Sequence, residues 1–151
     1  MIQDVKIKPI KKFSDDRGFF AEIIKEGEDT FQTVKQTSYT ETHPGVIKAF
    51  HWHKKQWDVW FVVRGMAQVV LHDLRPESLT KGETQVIYAG QDNQCLISIP
   101  PGVAHGYRVL GNEKVCLFYH TSEAYDSTEP DEERIDYNDP QIGFDWTTKN
   151  K

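Results

Sequence analysis

Short runs of β-forming residues recur along the chain, and most are followed by glycine, proline, asparagine or aspartate. Apolar and polar positions alternate in these runs, which is typical of half-buried strands, and no segment has clear helical periodicity. An edge strand is predicted around Val5 and Ile7, because Pro9 removes a backbone donor. Further strands are predicted at 19–24, 31–42, 46–50, 58–63, 66–74, 84–88, 94–99, 107–110 and 114–120.

The last two predicted strands flank Gly111 and Asn112, and we expect them to form a hairpin around that turn. About ten short strands joined by tight turns predict an all-β fold, either a double-sheet jelly roll or a small barrel. The interior of such a fold can hold one small ligand. Because the sequence contains no repeat, linker or low-complexity segment, residues 1–151 are predicted to form a single domain.

Composition narrows the possible partners. The net charge is −5 and no long basic run occurs, which argues against a nucleic acid partner. Cys95 and Cys116 lie in apolar runs, which indicates buried thiols in a reducing compartment. The N-terminus does not resemble a signal peptide, and no apolar run approaches the ~18 residues of a membrane span. We therefore expect a cytoplasmic protein without a membrane partner.

The chemistry-bearing residues concentrate in the segment 45–65, which holds two histidines and an acidic residue. Alternate side chains of a strand point to the same face, so His51 and His53 are predicted to project together. Two imidazoles on one face are costly to bury without partners, which predicts a ligand or a reacting group beside them. Asp58 follows closely along the chain and is a candidate to join them.

Two motifs with this chemistry resemble the cupin superfamily. The segment 45–65 is similar to the first cupin motif, with Asp58 in place of the usual glutamate. The segment 100–105, which ends at His105, is similar to the second motif. The resemblance implies a cupin-type double-stranded β-helix, which is a jelly roll, with short flanking loops.

Further motifs are spread along the chain: Asp15-x-Arg17-Gly18-x-Phe20-x-Glu22 and the segments 45–51, 63–65, 73–82, 99–107, 133–135 and 139–146. Together they resemble the dTDP-4-dehydrorhamnose 3,5-epimerase family almost from end to end. That resemblance implies an isomerase of a nucleotide-linked 4-keto-6-deoxy sugar, acting in surface polysaccharide biosynthesis as a homodimer without a cofactor.

The chemistry of that family assigns roles to particular residues. A keto group acidifies the neighbouring C–H bonds, so epimerisation needs a base on one face, an acid on the other and donors for the enolate oxygen. The resemblance implies that His51 is the base and Tyr119 the opposing acid, and that Arg17 with Glu22 holds the nucleotide end. The other residues that it places around the substrate are Gln36, Lys48, His53, His105 and Tyr125.

The sequence departs from the family pattern around the site. Asp58 stands where the family has a catalytic lysine, and His53 stands where it has a glutamine. In the family, a C-terminal aspartate pairs with the catalytic histidine, and no counterpart of it is found here. His51 is therefore expected to lack a carboxylate partner. The alternative is that Asp58 orients an active-site histidine instead. The acidic run 129–133 is interpreted as a solvated surface.

These departures leave alternatives open. One is a metal-dependent cupin, a dioxygenase or an isomerase, in which one divalent ion is held by His51, His53, Asp58 and His105. Another is a ketoisomerase that moves the keto group from carbon 4 to carbon 3. The last is a sugar-nucleotide binding protein without catalysis.

Overall fold

The computed structural model describes residues 1–148, and within them it contains strands but no helix. The strands are β1 (Lys6–Pro9), β2 (Phe13–Asp15), β3 (Gly18–Phe20), β4 (Gln36–Thr42), β5 (Ile47–Trp52), β6 (Asp58–Arg64), β7 (Met66–Asp73), β8 (Thr84–Gly90), β9 (Cys95–Ile99), β10 (Val103–Leu110), β11 (Val115–Thr121) and β12 (Glu133–Arg134).

Most strands belong to two five-stranded antiparallel sheets. The first sheet has the order β1-β9-β6-β11-β4, the second has the order β12-β5-β10-β7-β8, and β2 pairs with β3 in a separate ribbon. From β5 to β7, and again from β9 to β11, consecutive strands lie in alternate sheets. This alternation is the jelly-roll arrangement, so the predicted all-β cupin-type fold is confirmed. As predicted, β1 with Pro9 lies at a sheet edge.

The predicted hairpin around Gly111 and Asn112 is wrong. β10 pairs with β5 and β7, whereas β11 pairs with β4 and β6, so the turn between them passes from one sheet to the other. Both strands already have two partners, which leaves neither edge of either strand free for a hairpin. The predicted strand at 19–24 is also shorter, since β3 ends at Phe20.

The main core fills the space between the two sheets. Its buried members include Trp60, Val62, Val69, Leu71, Ile97, Ile99, Tyr107, Val109 and Leu117. Along β6, Trp60 and Val62 belong to this core, while Phe61 belongs to a second cluster that Ile23 and Ile24 help to cover. This is the period of two expected for a strand. The free thiols of Cys95 and Cys116 are buried, as predicted.

The chain after β12 packs against the second sheet. Trp146 is buried, and its ring contacts the rings of Phe50 and Phe144. The indole N–H of Trp146 donates to the carbonyl of Tyr137 at 2.8 Å. Ile135 packs in the same cluster, and β12 pairs with β5, so both contacts hold the segment 133–135.

A close approach of β5 and β10 places their histidines side by side. Gly106 allows it, because a Cβ atom built there would lie 2.3 Å from the Cβ of Ala49. The ladder sets His105 opposite His51. Among the described residues, none lies in a helix long and apolar enough to cross a membrane.

Candidate active site

A cavity of about 730 Å³ lies between the two sheets and is closed on one side by the chain from 123 to 134. Its walls include eight of the ten site residues predicted from the sequence: Gln36, Lys48, His51, His53, Asp58, His105, Tyr119 and Tyr125. Arg17 and Glu22 lie elsewhere. Arg17 is exposed on the β2–β3 ribbon and pairs with Asp15, and Glu22 pairs with Lys25 in the following loop.

The deepest part of the cavity is a buried cluster of His53, Asp58 and His105. Nε2 of His53 lies 3.6 Å from Oδ1 of Asp58, and Nε2 of His105 lies 3.5 Å from Oδ2. The Asp58 carboxylate also accepts hydrogen bonds from Gln56 at 2.7 Å and from the Trp60 indole at 3.1 Å. The carboxylate is therefore surrounded by donors rather than presented bare to the cavity.

Backbone carbonyls fix the orientation of both imidazoles in this cluster. Nδ1 of His53 donates to the carbonyl of Asp131, and Nδ1 of His105 donates to the carbonyl of Val103 at 3.0 Å. Each ring therefore turns its Nε2 towards Asp58. The amide of Gln56 lies 3.3 Å from Nε2 of His53, so a hydrogen-bond partner already occupies that position.

The same contacts determine the charge of Asp58. Burial alone would raise its pKa, but the hydrogen bond and charge of His105 oppose that effect. With the charge of His53 and the hydrogen bond from Gln56 added, the pKa of Asp58 is lowered to about 2. Asp58 is thus a carboxylate across the physiological range.

His51 has its own carboxylate, which the sequence analysis did not identify. Nδ1 of His51 lies 3.1 Å from Oε1 of Glu132, so the expectation that His51 lacks such a partner is wrong. Asp58 does not fill this place, because its oxygens face His53 and His105. Burial lowers the pKa of His51, and the charge of Glu132 opposes that shift.

The acidic run 129–133 is not simply a solvated surface, because Glu129, Asp131 and Glu132 line the cavity. Besides Glu132, the carboxylate of Asp131 accepts the backbone N–H groups of Lys54, Lys55 and Gln56 at 2.8 to 3.0 Å. These bonds fix the loop that carries Gln56 towards Asp58. The only signal in the sequence was the family-like motif at 133–135, and nothing in its spacing links it to β5.

The predicted set of four metal ligands is only partly assembled. His53, Asp58 and His105 bring one ligand atom each to within 4.8 Å of one another, whereas His51 is not in this group. Instead, Nδ1 of His51 contacts the carboxylate of Glu132. Within residues 1–148 the structure therefore gathers a two-histidine, one-carboxylate cluster and not the four-ligand set.

The remaining site residues line the outer part of the cavity. Nζ of Lys48 donates to the Thr40 hydroxyl at 3.0 Å. Oε1 of Gln36 accepts the backbone N–H of Tyr125 at 2.9 Å. Tyr119 is half-buried on β11 and packs partly against the main core. His51 and Tyr119 thus approach the cavity from strands of different sheets.

Comparison with known proteins covers the whole chain. The family model described as dTDP-4-dehydrorhamnose 3,5-epimerase matches residues 1–151. The spore coat polysaccharide biosynthesis protein SpsL of Bacillus subtilis is 53% identical over 149 residues, which are 99% of this chain and 99% of SpsL. The probable low-salt glycan biosynthesis epimerase Agl13 of Haloferax volcanii is 34% identical over 150 residues, covering 98% of this chain and 96% of Agl13.

A solved structure of an epimerase has the same fold as this chain. The dTDP-6-deoxy-D-glucose-3,5-epimerase RmlC from Legionella pneumophila, solved in complex with dTDP-4-keto-L-rhamnose, superposes with a TM-score of 0.82 at 27% identity. The match covers 99% of this chain and 82% of that chain.

The buried charge of Asp58 makes a prediction about stability. The pKa of Asp58 is lower in the folded chain than the unfolded value of about 3.9. The resulting stabilisation is complete above that value and is lost as the pH falls towards 2. We expect Asp58→Asn to lower the free energy of unfolding at pH 7 by about 2 kcal/mol, and the deficit to shrink on acidification.

Urea titrations of both proteins between pH 7 and pH 3 measure this difference. Asp92→Asn is the matched control, because Asp92 is exposed, and it should change the free energy of unfolding by less than about 0.5 kcal/mol. A deficit for Asp58→Asn that is the same at every pH would show that packing, and not charge, is responsible.

Proposed function

The chain belongs to the dTDP-4-dehydrorhamnose 3,5-epimerase family, and on this premise we propose that it epimerises a nucleotide-linked 4-keto-6-deoxy sugar. The observation that carries the proposal is that His51 and Tyr119 line one cavity from strands of different sheets. A base and an acid on opposite faces of the sugar are what inversion at a carbon beside a keto group requires.

The reaction begins with removal of a proton from the carbon next to the keto group. Nδ1 of His51 faces a carboxylate, so this nitrogen carries the hydrogen and Nε2 has the lone pair that accepts the proton. The electrons move to the keto oxygen and form an enolate. Tyr119 then delivers a proton to the other face of the same carbon, which inverts its configuration.

The enolate needs donors, and Asp58 stands where the family has a cationic lysine. The partners of Asp58 offset this reversal in part, because the carboxylate accepts hydrogen bonds from Gln56 and Trp60. Lys48 remains as a cation in the cavity wall and is suited to the polar groups of the substrate. Gln36, His53, His105 and Tyr125 would complete the contacts with the sugar nucleotide.

Arg17 and Glu22 do not line this cavity in the single chain, and we propose that they act across a homodimer. They belong to the β2–β3 ribbon and the loop that follows it, where Phe19 and Phe20 are 58% and 65% exposed. Apolar rings of this size are usually covered in an assembly. If the ribbon of one copy docks on the second copy, Arg17 of the first copy lies beside the nucleotide site of the second.

The first experiment follows proton exchange in heavy water, with dTDP-4-keto-6-deoxyglucose as substrate and proton NMR as the measurement. We expect deuterium at carbons 3 and 5, and we expect His51→Ala to slow this exchange by about 10²- to 10⁴-fold. His43→Ala is the matched control, since His43 is exposed in the turn before β5.

The outcomes separate the alternatives. Exchange that survives His51→Ala at the native rate would show that another residue is the base. Exchange at carbon 3 alone would indicate a 3-epimerase or a ketoisomerase. Binding without any exchange would indicate a sugar-nucleotide binding protein.

Removal of the Tyr119 hydroxyl should affect inversion more than exchange. Without the opposing acid, the enolate is reprotonated on the face from which the proton left, so deuterium still enters the substrate. We expect Tyr119→Phe to reduce the epimerised product by about 10²-fold while exchange continues. Tyr88→Phe is the control, because Tyr88 is 53% exposed on an edge strand. Equal losses of exchange and product would contradict the role of Tyr119.

We propose that this reaction needs no bound metal, and the competing metal-dependent hypothesis rests on the cluster of His53, Asp58 and His105. The donors around Asp58 and the Gln56 amide beside His53 already satisfy much of this cluster. In protein purified without a histidine tag, we expect less than about a tenth of an equivalent of any transition metal, and no loss of exchange after treatment with a chelator. One equivalent of metal that is absent from Asp58→Asn, and whose removal stops exchange, would favour the metal-dependent enzyme.

A further inference from the structure

The short strand β12 pairs with β5 at the edge of the site. The residue just before it, Glu132, brings a carboxylate to His51 of β5. The register of β12 sets Arg134 opposite His51. The backbone groups of Phe50 and Ile135 extend this pairing, with N–H to carbonyl distances of 2.8 and 3.0 Å. Backbone hydrogen bonds therefore fix the position of Glu132, which directly precedes β12.

The side chain of Glu132 is also fixed. Its Oε1 accepts a hydrogen bond from Nε of Arg134 at 2.9 Å and lies 2.9 Å from a terminal nitrogen of the same guanidinium, in addition to its contact with His51. Burial would raise the pKa of Glu132, but the hydrogen bond from Arg134 and the charge of His51 outweigh it and lower the pKa. The group that faces Nδ1 is consequently a carboxylate, which can only accept a hydrogen bond.

We propose that Glu132 is the positioning residue of the base: it holds the hydrogen of His51 on Nδ1 and keeps Nε2 turned to the substrate. The proposal rests on the proposed function, in which His51 removes the proton. A carboxylate in this position both orients the ring and stabilises the imidazolium that forms when the ring accepts a proton.

The other carboxylates near His51 do not offer this contact. Asp58 is occupied by His53 and His105, and Asp131 by the backbone of the loop 54–56. The remaining charges that act on His51 are those of His105 on β10 and Arg134 on β12. Both are positive when charged and lower the pKa of His51, so Glu132 is the group that opposes them.

The test compares Glu132→Gln with Glu133→Gln in the deuterium exchange assay. Glu133 is the neighbouring acidic residue and is paired with Lys54 on the exposed side, so the two variants remove the same charge from adjacent positions. We expect Glu132→Gln to lower kcat by about 10- to 100-fold with little change in KM. Glu133→Gln should keep the native rate.

The pH profile separates positioning from a merely structural role. The acid limb of kcat/KM reports the pKa of the free base. Because Glu132 raises the pKa of His51, its loss should move this limb to lower pH. A slower variant whose acid limb is unmoved would mean that Glu132 only holds the segment 131–135, and this result would overturn the proposal.

The remaining outcomes distinguish this inference from the proposed function. A native rate and profile in Glu132→Gln, together with loss of exchange in His51→Ala, would reject Glu132 alone. Native exchange in His51→Ala would reject the base itself. If Glu132→Gln lowers the urea midpoint strongly, Glu132→Asp is the second variant, because it retains the charge. We expect it to recover part of the rate and the native acid limb, and failure of both would count against the proposal.

Discussion

The antiparallel contact of β5 with its two neighbours is the constraint on which the site depends. β10 on one side sets His105 opposite His51, and β12 on the other side brings Glu132 to the same imidazole. Gly106 allows the first contact, because a side chain there would collide with Ala49. Three segments far apart in the sequence thus meet at one histidine, and their relative positions are fixed by backbone hydrogen bonds rather than by flexible side chains.

The buried carboxylate of Asp58 shows how the fold accommodates a charge in its interior. An isolated carboxylate there would be protonated or would destabilise the chain, because desolvation is costly. Gln56 and Trp60 donate to it, and two imidazoles face it. The loop that carries Gln56 is in turn held by Asp131. The buried Asp58 carboxylate is therefore supported by two hydrogen bonds and two nearby imidazoles.

Local features of this molecule could be read from the sequence, whereas the pairing of distant segments could not. Alternation predicted most strands and the two-sheet fold, and motif spacing placed His51, His53 and Asp58 in one region. Alternation does not determine which strands are neighbours in a sheet. For that reason the predicted hairpin around Gly111 was wrong. Glu132 was missed because it lies 81 residues from His51, with no local pattern to connect the two.

The geometry of β5 also explains how His51 acquires a carboxylate partner that no motif in the sequence indicated. Nδ1 of His51 needs an acceptor at hydrogen-bond distance, and it does not matter which part of the chain provides it. A segment that pairs with β5 on the side away from β10 can bring a side chain to this nitrogen, since neighbouring strands lie about 4.8 Å apart. β12 occupies that edge, and the residue just before it is a glutamate. The carboxylate beside His51 is thus a consequence of which segment pairs with β5.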